Sequence, residues 1–559
     1  MISLKSRSDL SELRFNLGVL VFFILILFAI GQGSNSSVDT TDINHKCGFP
    51  VVLQAHASGN IDLYQKFYET TTQQSILDSV YFSPSGHFKI YYTTNGPDSI
   101  SSADRNGNGT ADYLEFVAES FDRAWQIEID SLGFLPPPDS SGHVRNVYPV
   151  TCRRLSVYGV TYLDWQIPEL PGENYVTSIE INTRFNFVNY PGISDPLVRD
   201  SMAVAVTAAH EFNHALQCGY RLWPDGNGFF YDLWFIESSA TFMEEVVAPQ
   251  VNDYLNYLDD YFRRTYRPFD ESTGLLSDYG KVVLPIMLGN LYEARIIRFV
   301  WEGILDRRAR PALEVVLQDF DTDFAIELDR LATWLYYIRE RSIPNMYFPD
   351  APIFPELSFL FSNSIQEPRS VLVNDSLPQF SFQWHLSEAT VSQNLQIKLD
   401  VDDISKQAFL LSKVVNPFSK EYYLVFPEEI IDLPFSISSP DFPFVIISTD
   451  SSVSDYSPYK FIVDVKSIPA IANTVVYPQP FRMSDRHPFL SFGNLQAGTT
   501  LTIFNSNGLF IRQLYADNDN VPVLWDLKDD RGKQVGSGVY LYHAEKSDEK
   551  KTGKFVIVK

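Results

Sequence analysis

Residues 207–217 read TAAHEFNHALQ, and no other segment constrains the fold as tightly. Small and apolar side chains fill 203–209, the composition of a buried helix, and the same helix carries His210, Glu211 and His214. Burying two imidazoles and a carboxylate without partners is costly. A fold that buries them has to bring them a common partner. Four residues apart on a helix, the imidazoles project from one face about one turn apart, the spacing at which two nitrogens grip one Zn²⁺. Glu211, beside a ligand, is placed to take a proton from a water on that ion. The bland alternative is a pair of helix histidines with a structural role.

Two imidazoles need a third ligand before they make a catalytic centre. The histidines lie at 45, 56, 87, 143, 210, 214, 385, 487 and 543. A longer His-x-x-Gly-x-x-His arrangement fails, because positions 217 and 220 are Gln217 and Tyr220. With no histidine between 214 and 385, the third ligand is expected to be a carboxylate. Glu237 leads, in the helical stretch WFIESSATFMEE, where an acid beside Trp234, Phe235 and Ile236 is expensive unless ionised against a cation. Asp232 is its rival. Glu244, seven residues on and nearly on the same helix face, either accepts the other N–H of a ligand histidine or is a solvated helix charge.

A second cation motif precedes these helices. Asp104, Asn106, Asn108, Thr110, Asp112 and Glu115 stand at positions 1, 3, 5, 7, 9 and 12 of DRNGNGTADYLE, with Gly109 at position 6. This is the donor spacing of a twelve-residue Ca²⁺ loop, Thr110 contributing its backbone carbonyl. The competing reading is an Asn/Gly turn capping a helix over 112–131.

The 559 residues, 45% hydrophobic and 14% aromatic, suffice for roughly two to four domains and exclude global disorder, collagen and disulfide-dense miniproteins. Lys and Arg number 44 against 69 Asp and Glu, a net charge of −25. So acidic a surface repels phosphate backbones and excludes nucleic acid as the expected partner. Lys5, Arg7 and Arg14 precede an apolar run over 17–30, the size of a signal-peptide core and short of the ~20 residues that span a bilayer. Residues 1–33 therefore read as a signal peptide, with no stable membrane anchor, the alternative being an uncleaved anchor. Cys47, Cys152 and Cys218 allow one disulfide and one spare thiol in any of three pairings.

Along the chain, 34–345 mixes strand and helix signals. Strands are expected at 88–93, within 147–162 and at 175–182. A helix follows 112, another opens at Asp195 and Pro196 and runs through 218, and a third covers 232–247. Further helices are expected at 251–264, 281–303 and 312–341. After Pro344 short strand-like segments with Pro and Ser/Asn turns predict an all-β sandwich over 350–468, then a separate β unit over 469–559.

HEFNH followed by W-x-x-E-x-x-A-x-x-x-E resembles the gluzincin metallopeptidases, the thermolysin-like clan. From about 80 to 305 the chain is similar to a group of bacterial secreted metallopeptidases, through DRNGNGTADYLE, AHEFNHALQCGY, WFIESSATFMEE and the DYG…RFVWEG segment. The resemblance implies zinc at His210, His214 and Glu237, with Glu211 as general base. It also implies a protein or peptide substrate laid along an edge strand, for which 175–182 is the expected strand. Two features depart from the clan: Thr241 stands where thermolysin has an aspartate, and no distal histidine is evident to steady the oxyanion. Tyr279, in SDYGKVV, is expected in that role, ordinary aromatic packing being the alternative.

The stretches 475–481, 501–514, 524–545 and 553–559 resemble the Ig-like domain of flagellar hook-cap proteins and the sorting domains of type IX secretion substrates. That likeness implies the secretion machinery as a partner; an accessory binding sandwich is the alternative. The expected whole is an α+β zincin-like metallopeptidase domain followed by two all-β sandwich (Ig-like) domains, a secreted endopeptidase using zinc and stabilised by calcium. Its rival is a secreted calcium-stabilised adhesion or binding protein on a degenerate peptidase fold. An aminopeptidase would need an amine-binding acid that no motif supplies.

Overall fold

A computed structural model describes residues 46–60, 62–63, 76–170, 172–274, 276–361, 369–387, 394–401, 410–415, 422–426, 430–436, 442–448, 457–466, 474–482, 489–518, 521–547 and 549–558. The expected signal peptide, 1–33, lies outside these residues. The chain divides into Met1–Lys46 and Cys47–Lys559, and the second unit is the one described below. Among the described residues no helix is long and apolar enough to cross a membrane.

A first helix, α1 (Phe49–Ser58), precedes a mixed sheet of β1 (Ser79–Phe82), β2 (Phe88–Tyr92), β3 (Tyr148–Arg153), β4 (Gly159–Gln166) and β5 (Tyr175–Asn182). The spatial order is β1-β2-β3-β5-β4. β2, β3 and β5 run parallel, while β4 returns antiparallel to β5 and forms the edge. This corrects the expectation for 175–182. β5 is an inner strand, flanked on both sides, and its side chains are nearly all buried. β4, which turns exposed towards Trp165, is an edge strand, as is β1 at the other side, and its outer side is met at Gly159 by Cys47 and Gly48.

Two helices cross the sheet, α2 (Asp112–Trp125) and α3 (Pro196–Tyr220). Asp195 caps α3 by accepting from the Leu197 N–H at 2.9 Å, with Pro196 in the first turn, where its missing N–H costs nothing. Phe212 on α3 is fully buried and lies against Phe88, Trp125 and Tyr148, joining both helices to the sheet. The helix expected over 112–131 changes character at Gln126, where Gln126–Ser131 is a single π-helical segment. Next come α4 (Leu233–Val247), α5 (Leu258–Phe262) and α6 (Leu276–Gly280). The expected single helix over 281–303 is two, Val283–Tyr292 and Arg295–Ile304, parted at Glu293, whose φ is 70°. That over 312–341 is likewise divided, into Ala309–Gln318 and Phe324–Tyr336, with Asp321 at φ 55° between them. A left-handed residue cannot continue a right-handed helix, and apolar periodicity alone does not register such a break.

From Leu360 to Lys466 the described strands form sheets of five and four strands, which share a core in which Phe444 of one stacks on Phe461 of the other at 4.2 Å. This unit docks on the helices through aromatic contacts, Trp384 stacking on Tyr336 at 4.7 Å, and through polar ones. Trp384 donates its indole N–H to the Ala332 carbonyl at 3.1 Å, and buried Lys413 reaches Asp329 at 2.6 Å and Thr333 at 2.7 Å. The last strands, from Val475 to Val558, make sheets of three and five strands around Phe492, Leu501, Trp525 and Phe555.

Candidate metal centre

His210, Glu211 and His214 lie on α3, Glu237 and Glu244 on the adjacent α4, and all five are buried. Each imidazole is held from behind. Nδ1 of His210 lies 2.7 Å from a Glu244 carboxylate oxygen, which can only accept while ionised, so Nδ1 carries the proton. Nδ1 of His214 lies 2.8 Å from the Gln217 side-chain oxygen. That amide is fixed because its nitrogen donates to Asn213 Oδ1 (2.6 Å), the Ile236 carbonyl (3.1 Å) and Ser239 Oγ (3.1 Å). With both Nδ1 atoms donating, each Nε2 presents a lone pair when its ring is neutral, and the two Nε2 atoms face each other 3.1 Å apart. Glu237 completes the cluster, its oxygens 3.3 Å from Nε2 of His210 and 3.6 Å from Nε2 of His214.

Whether these residues fit a metal is decided by what is left over. Both Glu237 oxygens are buried and accept no hydrogen bond. A bare buried carboxylate facing two imidazole lone pairs is an arrangement that a cation satisfies and that polar satisfaction rules otherwise forbid. Tetrahedral ligands at ~2.0–2.1 Å from zinc lie about 3.3 Å from one another, which these separations match. Without metal a proton takes the cation's place. Burial opposes charge on His210, but Glu237 and Glu244 overcome it and push its pKa up to about 9. Burial likewise opposes ionisation of Glu237, yet the two histidines hold it down to about 2.

Glu211 points towards β4. Thr161 donates its hydroxyl to the Glu211 carboxylate at 2.7 Å and also reaches the Glu211 carbonyl at 2.9 Å. Gly159 makes this approach possible, since a Cβ there would meet Glu211 Cγ at 2.8 Å. Tyr279, on α6, stacks on His210 with ring centroids 5.9 Å apart. Burial, reinforced by Glu237, Cys47 and Glu211, raises its pKa so far that it stays a proton donor. Asp232 is drawn away from the cluster by Arg308, at 2.6 and 2.8 Å, and by the Ala309 N–H. Thr241 donates to the Glu237 carbonyl at 2.9 Å.

Three contributors escaped the sequence reading. Cys47 is buried with its sulfur among the ligand atoms of His210, His214 and Glu237, all within 4.8 Å of one another. No spacing signal links residue 47 to 210. Gln217 and Thr161 hold His214 and Glu211, roles that depend on packing rather than motif. Behind Gln217, Asn213 donates to buried Glu128 at 2.8 Å, so a hydrogen-bonded chain reaches from the π-helical segment to His214. Cys47, Cys152 and Cys218 are all buried free thiols.

The loop over 104–115 gathers its oxygens around Asp104 and Glu115. Asp104 accepts from the N–H groups of Gly107 (2.8 Å), Asn108 (3.2 Å) and Gly109 (2.9 Å). Glu115 accepts from the side-chain amides of Asn106 and Asn108, Thr110 N–H donates to Asn108, and buried Asp112 accepts from Arg105 N–H. Arg105 then forms a two-pronged ion pair with Asp195, tying the loop to the cap of α3.

No family model matches the chain, and no curated protein matches it. Among solved structures, it is similar over 18% of its length to PorZ, a surface component of the type IX secretion system of Porphyromonas gingivalis (22% identity, 14% of that chain, TM-score 0.15). It is similar over 27% to the BSP domain of a biofilm-associated protein (14% identity, 25% of that chain, TM-score 0.15). Over 34% it is similar to latent PorU of P. gingivalis (14% identity, 20% of that chain, TM-score 0.15). The chain spans a quarter or less of each of these structures.

Proposed function

We propose that this chain is an exported zinc endopeptidase. The observation that supports it most is the convergence of the Nε2 atoms of His210 and His214 on the buried carboxylate of Glu237, whose oxygens accept no hydrogen bond, with a second buried carboxylate, Glu211, on the same helix as the histidines. Bound between His210, His214 and Glu237, zinc would supply Lewis-acid polarisation of a peptide carbonyl and acidification of water. Glu211, held by Thr161, takes a proton from the attacking water and returns it to the departing amine. Tyr279, protonated and next to His210, donates to charge developing on the carbonyl oxygen. The outer edge of β4 would offer main-chain groups to an extended substrate, a sequence-tolerant form of recognition. Calcium at 104–115 belongs to the same reading, as does export through the N-terminal segment and a C-terminal sorting unit.

The test is metal content together with cleavage. Purified full-length protein, before and after limited trypsin treatment, is analysed for zinc and assayed on casein beside Glu211→Gln. The proposal expects about one zinc per chain and casein cleavage that falls by ~10²-fold or more in the variant, with zinc retained. Equal cleavage by the variant removes Glu211 as base, and a chain that holds no zinc favours the binding-protein reading.

A further inference from the structure

The N-terminal end of the described chain lies inside the centre. Gly48 donates its N–H to the Gly159 carbonyl at 2.9 Å, and Cys47 bridges Gly159 in parallel register, so this segment pairs with the outer edge of β4 at Gly159. That is the edge that would otherwise meet a substrate backbone. Phe49, fully buried, stacks on the ring of His214 with centroids 4.3 Å apart, and α1 covers the site from that side. The Phe49 N–H lies 3.2 Å from Cys47 Sγ and orients the sulfur, whose neighbours include the bare oxygens of Glu237.

A catalytic zinc centre keeps three protein ligands and one open position, whereas four protein ligands close it. Here a fourth donor, a soft sulfur, stands in the ligand set, and it arrives on a segment that also blocks the edge strand. We propose that Cys47 is the fourth metal ligand and that the segment 47–58 is an inhibitory latch. The thiol binds as the thiolate, its proton passing to solvent. The latent chain becomes a peptidase when the segment is displaced and water takes the sulfur's position. This rests on the zinc-peptidase reading above and adds its regulation.

Cobalt substitution tests it without relying on activity alone. Loaded with Co²⁺, the full-length protein should show the visible bands of a tetrahedral ion together with a near-ultraviolet sulfur-to-cobalt charge-transfer band. Cys47→Ser and Cys47→Ala should keep the visible bands, lose the charge-transfer band, and cleave fluorescent casein at least about tenfold faster than the parent chain. Visible bands without charge transfer in the parent chain overturn the sulfur ligand, and that spectrum needs no variant to fold. A charge-transfer band with no activation in either folded variant overturns the latch and makes the centre a closed structural site. No cobalt bands in the parent chain sink the metal centre itself, an outcome distinct from the other two.

Discussion

The side-chain oxygen of Gln217 lies 2.8 Å from Nδ1 of His214, one turn along the same helix, and so does for this imidazole what a carboxylate from the neighbouring helix does for His210. A neutral amide can orient the ring because its own nitrogen is itself fixed, with Asn213, Ile236 and Ser239 acceptors around its two hydrogens. The two histidines therefore differ in charge environment though they belong to one motif.

Gln217→Leu should weaken zinc binding by about 10–100-fold, the usual cost of losing the group that orients a ligand histidine. Competition against a chromophoric chelator reads this directly. Gln217→Glu should retain most of the affinity, since an acceptor remains at Nδ1, and an equal loss in both variants would argue against the orienting role.

Zinc binding should release a proton and weaken as pH falls. The proton on metal-free His210, held up to about 9 by Glu237 and Glu244, must leave before Nε2 can bind a cation. Calorimetry in two buffers of different ionisation enthalpy measures the released protons. The same shifts set the stability of the metal-free protein. His210, raised above the ordinary ~6.5, stabilises it fully below that value and loses the contribution as pH rises through about 9. Glu237, lowered to about 2, stabilises it above the ordinary ~4.3 and loses that contribution as pH falls through about 2. Melting curves in chelator across this range should be flattest between the two limits.

Calcium bound at 104–115 should stabilise the folded chain by ~2.7 kcal/mol when calcium is at 100 times its dissociation constant, read as a rise in melting temperature. Glu115→Gln, which removes the charge that both asparagine amides address, should abolish most of that shift. A melting temperature indifferent to calcium in the parent chain would leave this segment a turn and cap.

Phe212→Ala should destabilise the α/β unit by ~3–5 kcal/mol, because the fully buried ring fills the space between Phe88, Trp125 and Tyr148. Urea melts followed by tryptophan fluorescence would show it. The substitution removes no ligand, so zinc stoichiometry in the folded protein should not change.

The sequence by itself determined what depends on near neighbours. The four-residue spacing of His210 and His214 puts both rings on one helix face, Asp195 and Pro196 begin that helix, and the alternation in FKIYY buries Phe88 and Ile90 on one side of a strand. These follow from periods of 3.6 and 2, which any short window contains. Only the tertiary structure decided that β4 rather than β5 lies at the sheet edge, that Arg308 withdraws Asp232, and that Cys47 reaches the cluster of His210, His214 and Glu237 from the far end of the unit. Those outcomes turn on strand order and on contacts between residues distant in sequence. No local periodicity encodes them, since they exist only once the chain has closed on itself.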